Sequence, residues 1–169
     1  SSLHITWATQ SDIMIARDKE LLRLISASGC EYLFVGLESV TEDGVAYLSK
    51  WKHSYFHHYP ASIGEIESYG IAVLGAFIVG TDDDDENVFD KIIRFAEQTS
   101  LVKTHISVMT PLPGTSLRQK LQAKNRLLDK PWSNYDFFGV NYIPQKITPR
   151  RLQYRLLETM IHFCSPHST

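Results

Sequence analysis

Four short apolar runs, each followed by a stretch with apolar residues at helical spacing, constrain this chain more than any other feature. In the first, Leu3, Ile5 and Trp7 alternate with His4, Thr6 and Ala8, which predicts a strand over residues 4–9. The second covers residues 31–36 and leads into Gly36-Leu37-Glu38-Ser39. The third, residues 71–79, is almost wholly apolar, as a strand buried on both faces of a parallel sheet would be. The fourth covers residues 104–109 and ends at Thr110-Pro111-Leu112-Pro113-Gly114-Thr115.

The intervening stretches read as helices. One starts at Asp18, presents Leu21, Leu22, Leu24 and Ile25, and stops at Gly29. A short helix is expected over residues 41–50. Pro60 opens another, with Ile63 and Ile66 inward and Gly70 at its end. A helix over residues 86–98 turns Val88, Ile92, Phe95 and Ala96 inward, and a further one carries Leu117, Leu121 and, as an added candidate, Leu127. Four strand–helix units in series imply an α/β fold with a parallel sheet and right-handed crossovers. From residue 130 the texture changes. Trp132, Tyr135, Phe137, Phe138 and Tyr142 crowd into a loop, and a last amphipathic helix follows Thr148-Pro149 with Leu152, Leu156, Leu157 and Ile161. The expected division is therefore 1–129 and 130–169. A chain of 169 residues that enters a strand at once is expected to be a piece of something longer.

Composition narrows the function classes. A net charge of −2 offers no broad basic surface for nucleic acid. No apolar run approaches the length of a membrane span, and no signal peptide is recognisable at the start. The two cysteines, Cys30 and Cys164, suit reduced thiols in a cytoplasmic protein and are too few for a disulfide framework or an iron–sulfur cluster.

Chemistry in such sheets gathers where strands end. Glu38 shares a strand face with Phe34 and Gly36 by alternation, so its carboxylate points either at a ligand or at a helix cap or neighbouring cation. Spacing alone favours the second role. His53, His57 and His58 read as a polar helix edge, because a metal site needs further ligands. Asp82–Asp85 read as a solvated helix start, favoured by the helix dipole, and lack the pattern of a calcium loop. The aromatic cluster reads as a pin for the C-terminal segment before it reads as a substrate mouth.

The ordered set Gly36-Leu37-Glu38-Ser39, Lys50, residues 70–82 (Gly-Ile-Ala-Val-Leu-Gly-Ala-Phe-Ile-Val-Gly-Thr-Asp) and residues 110–115 resembles the radical S-adenosylmethionine (SAM) enzymes, most closely their cobalamin-binding branch. The resemblance covers most of the chain. It implies the later strands of a partial TIM-like (β/α) barrel, about four parallel strands with helices on the outer face, followed by the start of a C-terminal extension. It also implies an intact parent that binds SAM and a 4Fe–4S cluster held by a CxxxCxxC loop, with cobalamin as a further cofactor. That cysteine loop is absent here, so the chain alone is expected to be inactive and to hold no metal. Carried over by motif, Glu38, Lys50, Gly36, Ser39, Gln10, Gly80 and Pro111 would face SAM, with Lys50 near its carboxylate and Lys52 as the competitor for that role. Ala76 stands where other branches carry an aspartate. The intact enzyme is expected to be a C-methyltransferase, or a related tetrapyrrole- or lipid-modifying enzyme, acting on a small molecule. The open sheet edge invites self-association. The competing expectation is a non-redox α/β binding module for a phosphate or other small molecule, seated on Gly80-Thr81-Asp82 or Pro113-Gly114-Thr115.

Overall fold

The computed structural model describes residues 5–99 and 101–165, and within them the four apolar runs are strands of one parallel sheet. The strands are β1 (Trp7–Asp12), β2 (Cys30–Glu38), β3 (Ala72–Val79) and β4 (Lys103–Val108), in spatial order β1-β2-β3-β4. Leu3 and His4, placed in the first strand by alternation, lie outside the described residues. That strand runs later than expected, since Gln10, Ser11 and Asp12 are still paired with Phe34, Val35 and Gly36 of β2. The helices are α1 (Lys19–Ala27), α2 (Glu42–Leu48), α3 (Lys50–His53), α4 (Tyr59–Ser68), α5 (Asn87–Gln98), α6 (Ser116–Ala123) and α7 (Pro149–Cys164).

On the two central strands one face is sealed and the other is only half covered. On β2, Leu33, Val35 and Leu37 are fully buried, while Phe34, Gly36 and Glu38 between them are half-buried. On β3, Val73, Phe77 and Val79 are buried, and Ala72, Leu74, Ala76 and Ile78 are half-buried. The apolar run at residues 71–79 is therefore not buried on both faces. Its second face is apolar but only partly covered.

The chain divides into two compact units, Ser1–Phe77 with Ile93–His105, and Ile78–Ile92 with Ile106–Thr169. In the first, Asp18 caps α1 by accepting from Leu21 N, and Gly29 ends the segment with a φ of 93° that a glycine adopts without strain. Of the four apolar residues expected to face inward from α1, only Leu22 is fully buried; Leu21 and Leu24 are exposed. A 3-10 turn, Ile13–Arg17, packs Ile13 and Ala16 toward α4, which buries Ile63 and Ile66. Each such apolar side chain contributes roughly 1.5–3 kcal/mol on burial. Ser26 Oγ donates to Tyr69 O at 2.6 Å and ties the end of α1 to the end of α4.

The second unit is organised by its aromatic segment. Tyr142 is fully buried, pairs with Leu127 in an antiparallel bridge, and donates its hydroxyl to Gly80 O. Asn141 is buried too, and its amide donates to Asn134 O and Gly139 O while its Oδ1 accepts from Asn134 Nδ2. Thr148 caps α7 and Pro149 opens it. Leu152 and Leu156 face inward from α7, but Leu157 and Ile161 are exposed and Thr159 is buried instead. Trp132 and Phe137 are exposed as well, so Tyr142 is the pin among the aromatics.

The acidic run leads into α5 with Asp83 and Asp85 exposed, as a solvated helix start would, but Asp84 is buried and the run's other members have partners. Asp82 pairs with Arg126, which holds its carboxyl below the usual range; Asp83 pairs with Lys146, and Glu86 with Arg151. Asp85 caps the entry to α5 through Asn87 N. Asp84 is buried, and its Oδ2 accepts from the amides of Gly80 and Thr81, each at 2.9 Å. Burial pushes the Asp84 carboxyl up, while those two amides pull the other way.

Candidate functional site

The half-covered face of β2 ends at Glu38, where the backbone departs from strand geometry. Glu38 has a φ of 69°, and the pairing with β3 shifts between Gly36 and Glu38. A left-handed conformation costs a side-chain-bearing residue about 1–2 kcal/mol, so something local must hold it. Ser39 N donates to Leu37 O at 2.9 Å across the turn, and the side chain is held by Lys52. Its ammonium donates to Glu38 Oε1 at 2.8 Å and Gly36 O at 2.8 Å, and lies 2.9 Å from Asp12 Oδ2 at the end of β1. Lys52 is only 5% exposed, whereas the carboxylates it bridges are partly open to water.

Burial alone would lower the Lys52 pKa. The hydrogen bonds to Glu38 and Asp12, with their negative charge, outweigh it and raise the pKa above its ordinary value. Two carboxylates and one ammonium leave the cluster with one net negative charge. Asp12 is fixed twice over, since its Oδ1 also accepts from Met14 N to start the 3-10 turn. Beneath the cluster, the Tyr59 hydroxyl is buried and has no hydrogen-bond partner among the described residues. Burial pushes this phenol far above its usual range, with Glu38 and Asp12 adding to the effect.

Gly36 is fitted to this arrangement. A Cβ there would lie 2.8 Å from Glu38 Oε1 and 3.4 Å from Lys52 Nζ. Gly36→Ala is expected to displace the Glu38 carboxylate and destabilise the chain by about 1–3 kcal/mol, as overpacking does. Urea unfolding measures it, and a change below about 0.5 kcal/mol would mean the cluster is loosely held.

The lysine that reaches Glu38 is thus Lys52, the neighbour of Lys50, which the motif places near the SAM carboxylate. The expected single helix over residues 41–50 ends at Leu48; Ser49 breaks it at φ −152°, ψ 86°, and a new turn begins at Lys50. That break turns Lys52 inward and leaves Lys50 exposed. The other candidates are placed as follows. Gln10 is exposed within β1, opposite Phe34. Ser39 is buried, and its hydroxyl accepts from Thr41 N at the entry to α2. Gly80 and Pro111 lie in the second unit. The Gly80 amide is held by Asp84, and Pro111 O accepts from Arg118 Nη1 at 3.2 Å. His53 and His57 both approach Glu42, at 3.2 and 3.5 Å, which agrees with a polar helix edge.

Asp12, Lys52 and Tyr59 are the site residues that sequence reasoning underweighted. Asp12 falls in the segment expected to follow the first strand, and the structure places it inside β1. The only signal for Lys52 was its nearness to Lys50, and nothing marked Tyr59.

A cluster of iron and sulfide does not fit this chain's residues. It has two cysteines, Cys30 buried with its thiol pushed up by burial, and Cys164 exposed. Such a cluster draws on three or four thiolates.

The chain is 28% identical over 152 residues to the bacteriochlorophyllide d C-12(1)-methyltransferase of Chlorobaculum tepidum, covering 90% of this chain and 33% of that protein. It is 32% identical over 133 residues to the hopanoid C-2 methylase of Rhodopseudomonas palustris, covering 77% of this chain and 25% of that protein. An uncharacterized methyltransferase of Synechocystis sp. is 30% identical over 139 residues, 82% of this chain and 26% of that protein. The chain therefore has methyltransferases as relatives and spans a quarter to a third of their length. No protein-family profile matches it.

Proposed function

We propose that the chain is the SAM-facing part of a radical SAM barrel, from the cobalamin-binding branch, and that the intact protein is a C-methyltransferase acting on a small molecule such as a tetrapyrrole or lipid. The observation that carries this reading is Glu38: a strained carboxylate at the strand end where the sequence motif expects SAM, in a chain whose relatives methylate a bacteriochlorophyllide and a hopanoid. SAM, when bound, supplies the methyl group and the adenosyl moiety. The contribution of this chain's first unit is to bind and orient it through Glu38, with Gly36, Ser39, Gln10 and Lys50 as further contacts. The iron–sulfur cluster and the cobalamin would be held by other parts of the parent.

The half-covered face of β2 and β3 supports a barrel interior completed by strands outside this chain, and the exposed edge strand β1 is where they, or a second copy, would add. The division at residues 129 and 130 belongs to the same reading, as the start of the extension. Two free cysteines suit a cytoplasmic enzyme, and among the described residues no helix is long and apolar enough to cross a membrane. The rival, a phosphate-binding module, has less support. The amides of Gly80 and Thr81 already donate to a carboxylate, and Thr115 caps α6 through Arg118 N.

The test is Glu38→Ala in the intact protein with its cluster assembled. SAM affinity should fall roughly tenfold, the scale of one lost charge-assisted hydrogen bond, and 5′-deoxyadenosine formation should slow with it. Unchanged SAM binding would remove the site from this reading.

A further inference from the structure

Among the described residues Lys52 is the one strongly buried cation at the strand ends of the first unit, and its environment says what it can and cannot do. Three acceptors surround its ammonium: Glu38 Oε1, Gly36 O and Asp12 Oδ2, at 2.8, 2.8 and 2.9 Å. An ammonium has three donors, so this set uses all of them. The acceptors come from the ends of β1 and β2, and a lysine from α3 staples the two together. The staple fixes one Glu38 oxygen. The other, Oε2, has no protein partner among the described residues and belongs to a carboxylate still partly open to water.

We propose that Lys52 is a positioning residue for Glu38 and not a ligand for the carboxylate of a bound small molecule. Its charge is engaged within the protein, and it acts by holding the Glu38 carboxylate over the turn that Ser39 N closes on Leu37 O, with Oε2 presented to the mouth. Asp12 serves the same end by holding Lys52 from the far side. The site therefore presents acceptor oxygens and one net negative charge, and it selects hydrogen-bond donors on the ligand. An anionic group must be bound elsewhere. This inference rests on the reading of Glu38 as a SAM contact.

The test is a double-mutant cycle on SAM affinity in the intact, cluster-loaded protein, using Lys52→Met, Glu38→Ala and the pair, with Lys52→Arg and Asp12→Asn as milder changes. If Lys52 acts through Glu38, Lys52→Met weakens SAM binding roughly tenfold, and the double variant is within about threefold of Glu38→Ala alone. Lys52→Arg, which keeps the charge and the donors, recovers part of the loss. Asp12→Asn, which keeps the bond to Met14 N, loses about two- to fivefold. Additive losses in the cycle would show that Lys52 meets the ligand itself and would overturn the inference. So would a silent Lys52→Met beside a damaging Glu38→Ala. A silent Glu38→Ala would instead remove the SAM reading on which the inference stands. Should Lys52→Met fail to fold, Lys52→Arg and Asp12→Asn decide the matter: losses that add to that of Glu38→Ala overturn the positioning role, and losses that vanish in its background support it.

Discussion

Lys52→Met is expected to destabilise the chain by about 3 kcal/mol, while Lys50→Met, two residues away, should stay within about 0.5 kcal/mol. Methionine has nearly the volume and flexibility of the lysine stem, so packing is retained and the lost quantity is the charge. Asp12 and Glu38 would be left facing each other without the cation between them, and Gly36 O would lose a donor. Removing one partner of a buried ion pair costs roughly 3–5 kcal/mol, and the lower end applies because both carboxylates reach water. The pH dependence has a definite sign. The folded-state pKa of Lys52 lies above the ordinary 10.5, so its contribution is complete below pH 10.5 and declines as pH rises through the folded value. The stability gap between wild type and Lys52→Met should therefore be flat near neutrality and close only above pH 10.5. Urea unfolding at several pH values measures it. A loss below about 1 kcal/mol near neutral pH would show that the triad is a surface contact with no structural weight.

What the sequence disclosed, and what it did not, follows from how each signal arises. The strands and helices were readable because periodicity is a local property, and the alternation through Phe34, Gly36 and Glu38 placed Glu38 on the more open face correctly. The parallel order followed from the repeated strand–helix units. The partners of Glu38 were not readable, since they depend on where neighbouring elements stop. Three more residues in β1 bring Asp12 to the sheet, and a single break at Ser49 exchanges Lys50 for Lys52. Neither event leaves a trace in spacing. One member of the acidic run, Asp84, misled for a related reason. Four successive aspartates look solvated when read as composition, yet Asp84 stands where its carboxylate can accept the amides that the chain exposes as it leaves β3 at Gly80. Apolar stripes on α1 and α7 overstated burial, because Leu21, Leu24, Leu157 and Ile161 fit a helical face that the described residues leave exposed.

Gly80→Ala is expected to cost more than about 3 kcal/mol, and the reason combines two independent terms. Gly80 leaves β3 with a φ of 92°, a conformation that costs a residue with a Cβ about 1–3 kcal/mol. The added methyl would also overlap Tyr142 Oη and lie 3.0 Å from Leu152 Cδ2. Neither neighbour yields easily. Tyr142 and Leu152 are both fully buried, and the Tyr142 hydroxyl is held by its bond to Gly80 O. The amide of the same residue is fixed by Asp84, so the backbone cannot rotate away without leaving a buried N–H and a buried carboxylate unpaired. Tyr142→Phe separates the terms. It removes the oxygen that the methyl strikes and one hydrogen bond, at about 1 kcal/mol on its own. In the double variant the steric part of the Gly80→Ala penalty should disappear while the backbone part remains, so the two losses are less than additive by 1 kcal/mol or more. Thermal or urea unfolding of the four proteins gives the cycle. Strict additivity would mean that Tyr142 does not press on Gly80, and a Gly80→Ala loss below about 1 kcal/mol would mean that the turn out of β3 relaxes to a conformation open to any residue.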